Sequence, residues 1–120
     1  MQVQDSASKS GGISMDQCIR DCIACYQECL SCIPHCLSLG GKHVEPKHMT
    51  LLMECAQICN MSATLMQLKG DFAFEHCQVC ARICDACADS CLSIDQHDSM
   101  MQNCADSCRR CTESCRNMAH

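Results

Sequence analysis

The chain has very few aromatic residues. Of its 120 residues only one is tyrosine and two are phenylalanine, and tryptophan is absent. Proteins that bind single-stranded nucleic acid stack the bases on aromatic rings and attract the phosphates with a basic surface. A formal net charge of −5 provides no such surface. We therefore expect no nucleic-acid partner.

Long apolar segments are also missing. No stretch is apolar for long enough to cross a bilayer, so we expect no membrane partner. The first twelve residues are polar and lack the basic and apolar regions of an export signal, which predicts a cytoplasmic protein. Thiols stay reduced in that compartment. Many cysteines in one chain then indicate metal binding rather than disulfide bonds.

Ordinary core residues are scarce as well. Valine, isoleucine, leucine and phenylalanine together number 20, whereas cysteine alone numbers 17. A length of 120 residues suits one compact domain, but so few large apolar residues would leave it at risk of disorder. We therefore expect cysteine to fill much of the core.

The cysteines recur at alternating steps of three and four residues. This is the a/d repeat of a coiled coil, with a thiol where leucine normally stands. The repeat comprises Cys18, Cys22, Cys25, Cys29, Cys32 and Cys36, then Cys55 and Cys59, then Cys77, Cys80, Cys84, Cys87 and Cys91, and finally Cys104, Cys108, Cys111 and Cys115.

Glycines and polar turns divide this repeat into four predicted helices. Their expected bounds are Ser14, as an N-cap, to about Leu39; Pro46 to just before Gly70; about Phe72 to Ser93; and about Asp98 to Asn117. Pro34 is unfavourable inside the first predicted helix because proline lacks a backbone N–H. The cysteine repeat continues across it, however, which predicts a kinked helix rather than one that ends there. Short connections favour an all-α, antiparallel up-down-up-down four-helix bundle with a cysteine-lined core. Residues 14–120 would form this metal-binding domain, after a flexible N-terminal segment, 1–13.

The spacing of the thiols suits metal ions better than disulfides. Residues four apart on a helix have Cβ atoms about 5–6 Å apart, beyond the roughly 3.5–4.5 Å of a disulfide. Eight CxxxC pairs cover every cysteine except Cys77. Thiolates suit Cu(I), zinc and iron–sulfur clusters. Charge balance favours Cu(I), because many monovalent ions neutralise a buried thiolate array, whereas four thiolates around zinc leave a net negative site.

The repeated CxxxC and CxxC steps, together with the near absence of aromatic residues, resemble the bacterial copper storage proteins. The resemblance covers residues 14–118 and implies multiple Cu(I) ions bound inside the bundle, a cytosolic member of the family and a homo-oligomer, specifically a tetramer. The second segment departs from the pattern because it carries only Cys55 and Cys59.

Ligands weaker than thiolates are predicted at the two ends of the bundle. Extending the repeat places thioethers near Cys18, Cys77 and Cys115 at one end, from Met15, Met66 and Met118. The other end, near Cys36, Cys91 and Cys104, receives His48, His97 and Met101 as further candidate metal ligands. Weaker ligands suit transfer, so one of these ends is a candidate route for copper.

A second apolar stripe lies beside the cysteines on the first two helices. It comprises Ile19, Ile23, Tyr26, Leu30, Ile33 and Leu37, and then Leu51, Ile58, Met61, Leu65 and Leu68. We interpret it as a candidate subunit interface.

The leading functional hypothesis is therefore a cytosolic, non-catalytic store or buffer for Cu(I). A copper chaperone, a zinc or iron–sulfur protein, and a thiol redox sensor remain open alternatives. No spacing typical of a catalytic triad or of paired catalytic carboxylates stands out.

Overall fold

The computed structural model describes residues 14–118, in which four α-helices form a bundle. They are α1 (Met15–Leu39), α2 (Pro46–Gln67), α3 (Ala73–Asp95) and α4 (Ser99–Met118), with one 3₁₀ turn, Gly41–Val44, between α1 and α2. Each helix packs against its neighbours in the chain, and α1 also packs against α4, which closes the ring. The predicted antiparallel four-helix bundle is confirmed.

The helix ends follow local sequence signals. The side chain of Ser14 accepts a hydrogen bond from the backbone N–H of Gln17, 3.1 Å away, as the predicted N-cap requires. The end of α2 is a Schellman motif, in which the N–H of Gly70 donates to the carbonyl of Leu65 and that of Lys69 to Met66. Lys69 takes the left-handed position of this motif, with φ 56°.

Helix α1 continues through Pro34 to Leu39, so the prediction that proline does not end this helix is confirmed. Proline has no N–H and leaves the carbonyl of Leu30, four residues earlier, without its usual donor. Both residues lie on the exposed face of α1. Water can solvate the carbonyl there, which makes the proline tolerable.

The bounds of two helices differ slightly from the predictions. Helix α3 begins after Phe72 and runs two residues beyond Ser93, and α4 begins after Asp98 and ends one residue beyond Asn117. Asp98 is the N-cap of α4, because its Oδ1 accepts from the N–H of Met100 at 2.9 Å. The predicted flexible segment, 1–13, lies outside the described residues. None of the described helices is long and apolar enough to span a bilayer.

Candidate metal centre

The cysteines form the interior of the bundle. All 17 are free thiols with a relative exposure of 0%, and they come from all four helices. The other large side chains that are fully buried with them are Leu52, Met66, Met101 and His48. The prediction of a cysteine-lined core is confirmed, since small sulfur-bearing side chains occupy the positions that leucine fills in most bundles.

Sulfur atoms from different helices are as close as those on one helix. The Sγ atoms of Cys59 and Cys84 are 3.5 Å apart, and those of Cys25 and Cys108 are 3.6 Å apart. Within α3, the Sγ atoms of Cys80 and Cys84 are 3.8 Å apart. An ion bound in this core can therefore be held by ligands from two or three helices, and not only by one CxxxC pair.

Neighbouring sulfur groups share members. Cys25, Cys55, Cys59 and Cys84 have their sulfurs within 4.8 Å of one another, and so do Cys25, Cys29, Cys55 and Cys108. Shared thiols make the array continuous along the bundle. Each shared sulfur can bridge two ions.

One thiol at each end of the array has a raised pKa. At one end of the array, removal from water raises the pKa of Cys36. At the other end, Cys115 lowers the pKa of Cys77, but Cys18 and burial raise it by more, to about 12. These thiols hold their protons at neutral pH, so a metal ion has to displace a proton when it binds.

One end of the array adds nitrogen and thioether ligands. The Nε2 atom of His48 lies 3.5 Å from the Sγ of Cys36, and its Nδ1 lies 2.8 Å from the hydroxyl of Ser90. The Sδ of Met101 lies 3.5 Å from the Sγ of Cys32. Burial lowers the pKa of His48, which favours the neutral imidazole that can bind a metal.

The opposite end adds thioethers alone. The Sδ of Met66 lies 3.8 Å from the Sγ of Cys77, and Cys18 and Cys115 have their sulfurs 3.8 Å apart. Met15 and Met118 are partly buried against the core at this end. The two ends of the bundle therefore differ in ligand chemistry.

Comparison with known families matches residues 13–120 to the model of the copper storage protein family. The chain belongs to this family. A curated relative, an uncharacterized cysteine-rich protein of Bacillus subtilis, is 44% identical over 66 residues, which make up 55% of this chain and 59% of that protein. The matched region therefore spans less than two thirds of that relative.

Solved structures of similar proteins, two of them named copper storage proteins, have the same fold. A protein of Nitrosospira multiformis is 45% identical, with a TM-score of 0.80 over 88% of this chain and 94% of its own. The Cu(I)-bound copper storage protein BsCsp3 is 38% identical, with a TM-score of 0.79 over 88% and 97%. A cytosolic copper storage protein from Streptomyces lividans with five coppers is 29% identical, with a TM-score of 0.76 over 88% and 91%.

The structure does not bring His97, a predicted ligand, to the thiols of this copper storage protein. Its side chain is exposed, in the turn between α3 and α4, and its backbone N–H donates to Oδ1 of Asp95 at 3.0 Å. The prediction extended the helical repeat beyond Cys91, but α3 ends at Asp95. Beyond that point, helical spacing no longer determines which way a side chain points.

Helix α2 continues the row of buried positions through residues other than cysteine, and the sequence reasoning found His48 and Met66 in this row but missed Leu52 and Ser62. The steps of the cysteine repeat also connect His48, Leu52, Cys55, Cys59, Ser62 and Met66. Ser62 has a relative exposure of 0%, and its hydroxyl has no hydrogen-bond partner. Spacing alone could have found both Leu52 and Ser62, had the repeat been followed through residues other than cysteine.

Proposed function

We propose that this chain stores Cu(I) in the cytosol, holding many ions on the thiolates of its core. The observation that carries the proposal is the continuous array of 17 buried, free thiols. A chaperone that delivers one ion needs one accessible site, whereas these thiols are shielded from solvent along the length of the bundle. Copper is thus the substance that the bundle stores.

The sulfur–sulfur distances do not distinguish zinc from Cu(I), but the charge of the loaded core does. Zinc–sulfur bonds of about 2.3 Å place tetrahedral ligands about 3.8 Å apart, which the sulfur spacings here also satisfy. However, each zinc with four thiolates leaves a buried charge of about −2, and such charges are costly away from water. One Cu(I) for each thiolate leaves the core neutral. Charge neutrality therefore favours Cu(I).

The relatives support the proposal by their own properties. BsCsp3 binds Cu(I), and the Streptomyces lividans protein is cytosolic and carries five coppers. The present chain offers a buried thiol array in the same fold as both. Family members are storage proteins, and we extend to this chain the absence of a catalytic role.

An anaerobic titration tests the storage function. The fully reduced protein is titrated with Cu(I) against a competing chelator, and again with Zn(II). About eight or more Cu(I) ions per chain, one for each CxxxC pair, would support storage. Saturation at one or two ions would instead indicate a chaperone or a structural site. Tighter stoichiometric binding of Zn(II) would assign the array to zinc.

Copper reaches the array through one end of the bundle in this proposal. The ends are separable by mutation, because His48 and Met101 lie at one and Met66 at the other. Replacing His48 by alanine and Met101 by leucine, or Met66 alone by leucine, should slow loading without lowering the final number of ions. Stopped-flow loading at equal occupancy measures this, with His97→Ala as the exposed control. Unchanged rates in both sets would remove this part of the proposal.

We also propose a homo-oligomer, with a tetramer as the form that the family resemblance implies. The apolar stripe leaves several large side chains on the outside: Leu30 is 41% exposed, Met61 48% and Leu68 70%. Such residues are costly in water unless another surface covers them. Sedimentation at micromolar concentration should give an assembly that Met61→Glu weakens. A monomeric wild-type mass would exclude the interface.

A further inference from the structure

A polar cluster lies outside the thiol array, where three segments meet. His35 comes from the last turns of α1, His43 from the 3₁₀ turn, and Asp95 and Asp98 from the junction of α3 and α4. The side chain of His43 is 12% exposed, that of Asp98 11% and that of Asp95 38%. The cluster is therefore mostly shielded, with one side open to water.

The Nε2 atom of His43 is the unusual atom of this cluster. It is buried and has no hydrogen-bond partner. Two carboxylate oxygens lie just beyond hydrogen-bonding distance, Oδ2 of Asp98 at 3.6 Å and Oδ2 of Asp95 at 3.8 Å. Buried polar atoms are normally satisfied, so an atom left in this state requires an explanation.

The distances from His43 Nε2 to the two carboxylate oxygens are close to those between ligands of one metal ion. Ligands at about 2.0–2.2 Å from a tetrahedral zinc ion lie roughly 3.3–3.6 Å from one another. The two distances from His43 equal or slightly exceed that range. A cation between the three atoms would occupy the lone pair of the imidazole and neutralise the carboxylates.

Asp98 is already held in the orientation that a ligand needs. Its Oδ1 caps α4 by accepting from the N–H groups of Met100 and Met101, which turns Oδ2 toward the histidines. His35 contacts the same Oδ2 through Nε2 at 2.6 Å. Hydrogen bonds of this kind fix the direction of a metal ligand.

We propose that His43, Asp95 and Asp98 form a site for a divalent transition-metal ion such as Zn(II), with His35 as the positioning residue for Asp98. The site is chemically distinct from the array, because imidazole and carboxylate ligands suit borderline divalent ions and thiolates suit Cu(I). Three protein ligands leave a fourth position open to water on the side of Asp95. The site does not depend on the storage function.

The test uses the full chain after anaerobic saturation with Cu(I), so that the thiols are occupied. Failure of the storage proposal would appear at this first step, before any second metal is added. Zn(II) binding is then measured by equilibrium dialysis, and Co(II) by its absorption spectrum. We expect one additional ion per chain and a Co(II) spectrum without thiolate charge transfer. No additional ion at millimolar Zn(II), or a thiolate band, would overturn the proposal.

Variants locate the ion. His43→Ala and Asp95→Asn should each weaken Zn(II) binding at least tenfold, whereas His97→Ala, in the same region but outside the cluster, should leave it unchanged. Equal affinity in all three variants would refute the assignment. Nitrogen NMR of the unmutated protein provides a readout that does not depend on the variants folding, because Zn(II) should shift the Nε2 resonance of His43. An unshifted resonance would also refute it.

Discussion

Ser62 provides a sharp test of how the core is held together. Its hydroxyl is fully buried and unpartnered, and leaving such a group unsatisfied costs about 1–3 kcal/mol. Serine is also less favourable than alanine inside a helix by roughly 0.5 kcal/mol. The small void that replaces the oxygen offsets part of this gain. We therefore expect Ser62→Ala to stabilise the reduced, metal-free protein by about 1–2 kcal/mol.

Urea denaturation under reducing conditions measures this change, with circular dichroism as the signal. Ser114 supplies a matched control, since it is equally buried but its hydroxyl donates to Oδ2 of Asp21. Ser114→Ala should therefore destabilise the protein by about 1–3 kcal/mol, because it removes a hydrogen bond to the charged carboxylate of Asp21, which keeps only its bond from Gln17. Opposite signs for the two serines would support the reasoning. A loss of stability in Ser62→Ala would refute it, because the hydroxyl would then have a partner in solution.

Three further predictions concern single side chains. Lys69→Gly should stabilise the protein by about 0.5–1 kcal/mol in the same assay, because glycine takes the left-handed position without strain; Lys47→Gly, in the first turn of α2, should not. Leu52→Ala should cost about 2–5 kcal/mol by leaving a cavity, whereas Leu39→Ala, at an exposed position outside the apolar stripe, should change stability by less than about 0.5 kcal/mol. The lowered pKa of His48 means that the unfolded chain binds its proton first, so metal-free stability should fall as pH drops below 6.5. His48→Gln should reduce that slope in pH-dependent denaturation, and an identical slope would contradict the assignment.

The sequence was a good guide wherever helical spacing decides the outcome. The steps of three and four residues place every cysteine on the inner face of its helix, and this pattern is strong enough to continue through Pro34. The helix tolerates Pro34 because the carbonyl that the proline leaves without a donor, that of Leu30, is on the exposed face. The fold and its thiol core therefore follow from local periodicity.

Spacing fails where the chain leaves a helix. His97 is close to the end of the repeat in sequence but points into water, whereas His43 is brought beside Asp98 by a 3₁₀ turn. The direction of a turn depends on contacts between segments distant in sequence. Ser62 was missed for another reason, since a search for thiols passes over a hydroxyl in the same row.

The complete burial of the thiols determines whether a binding partner can detect copper loading from the protein's surface charge. When each incoming Cu(I) displaces one thiol proton, the charge of the core is the same whether the bundle is empty or full. The cysteines lie wholly beneath the surface, so the outer charge pattern also stays constant. A partner that binds the outer faces of the helices therefore cannot distinguish the copper-loaded protein from the metal-free protein by charge. A molecule that detects copper loading has to contact the ends of the bundle or respond to a change in its rigidity.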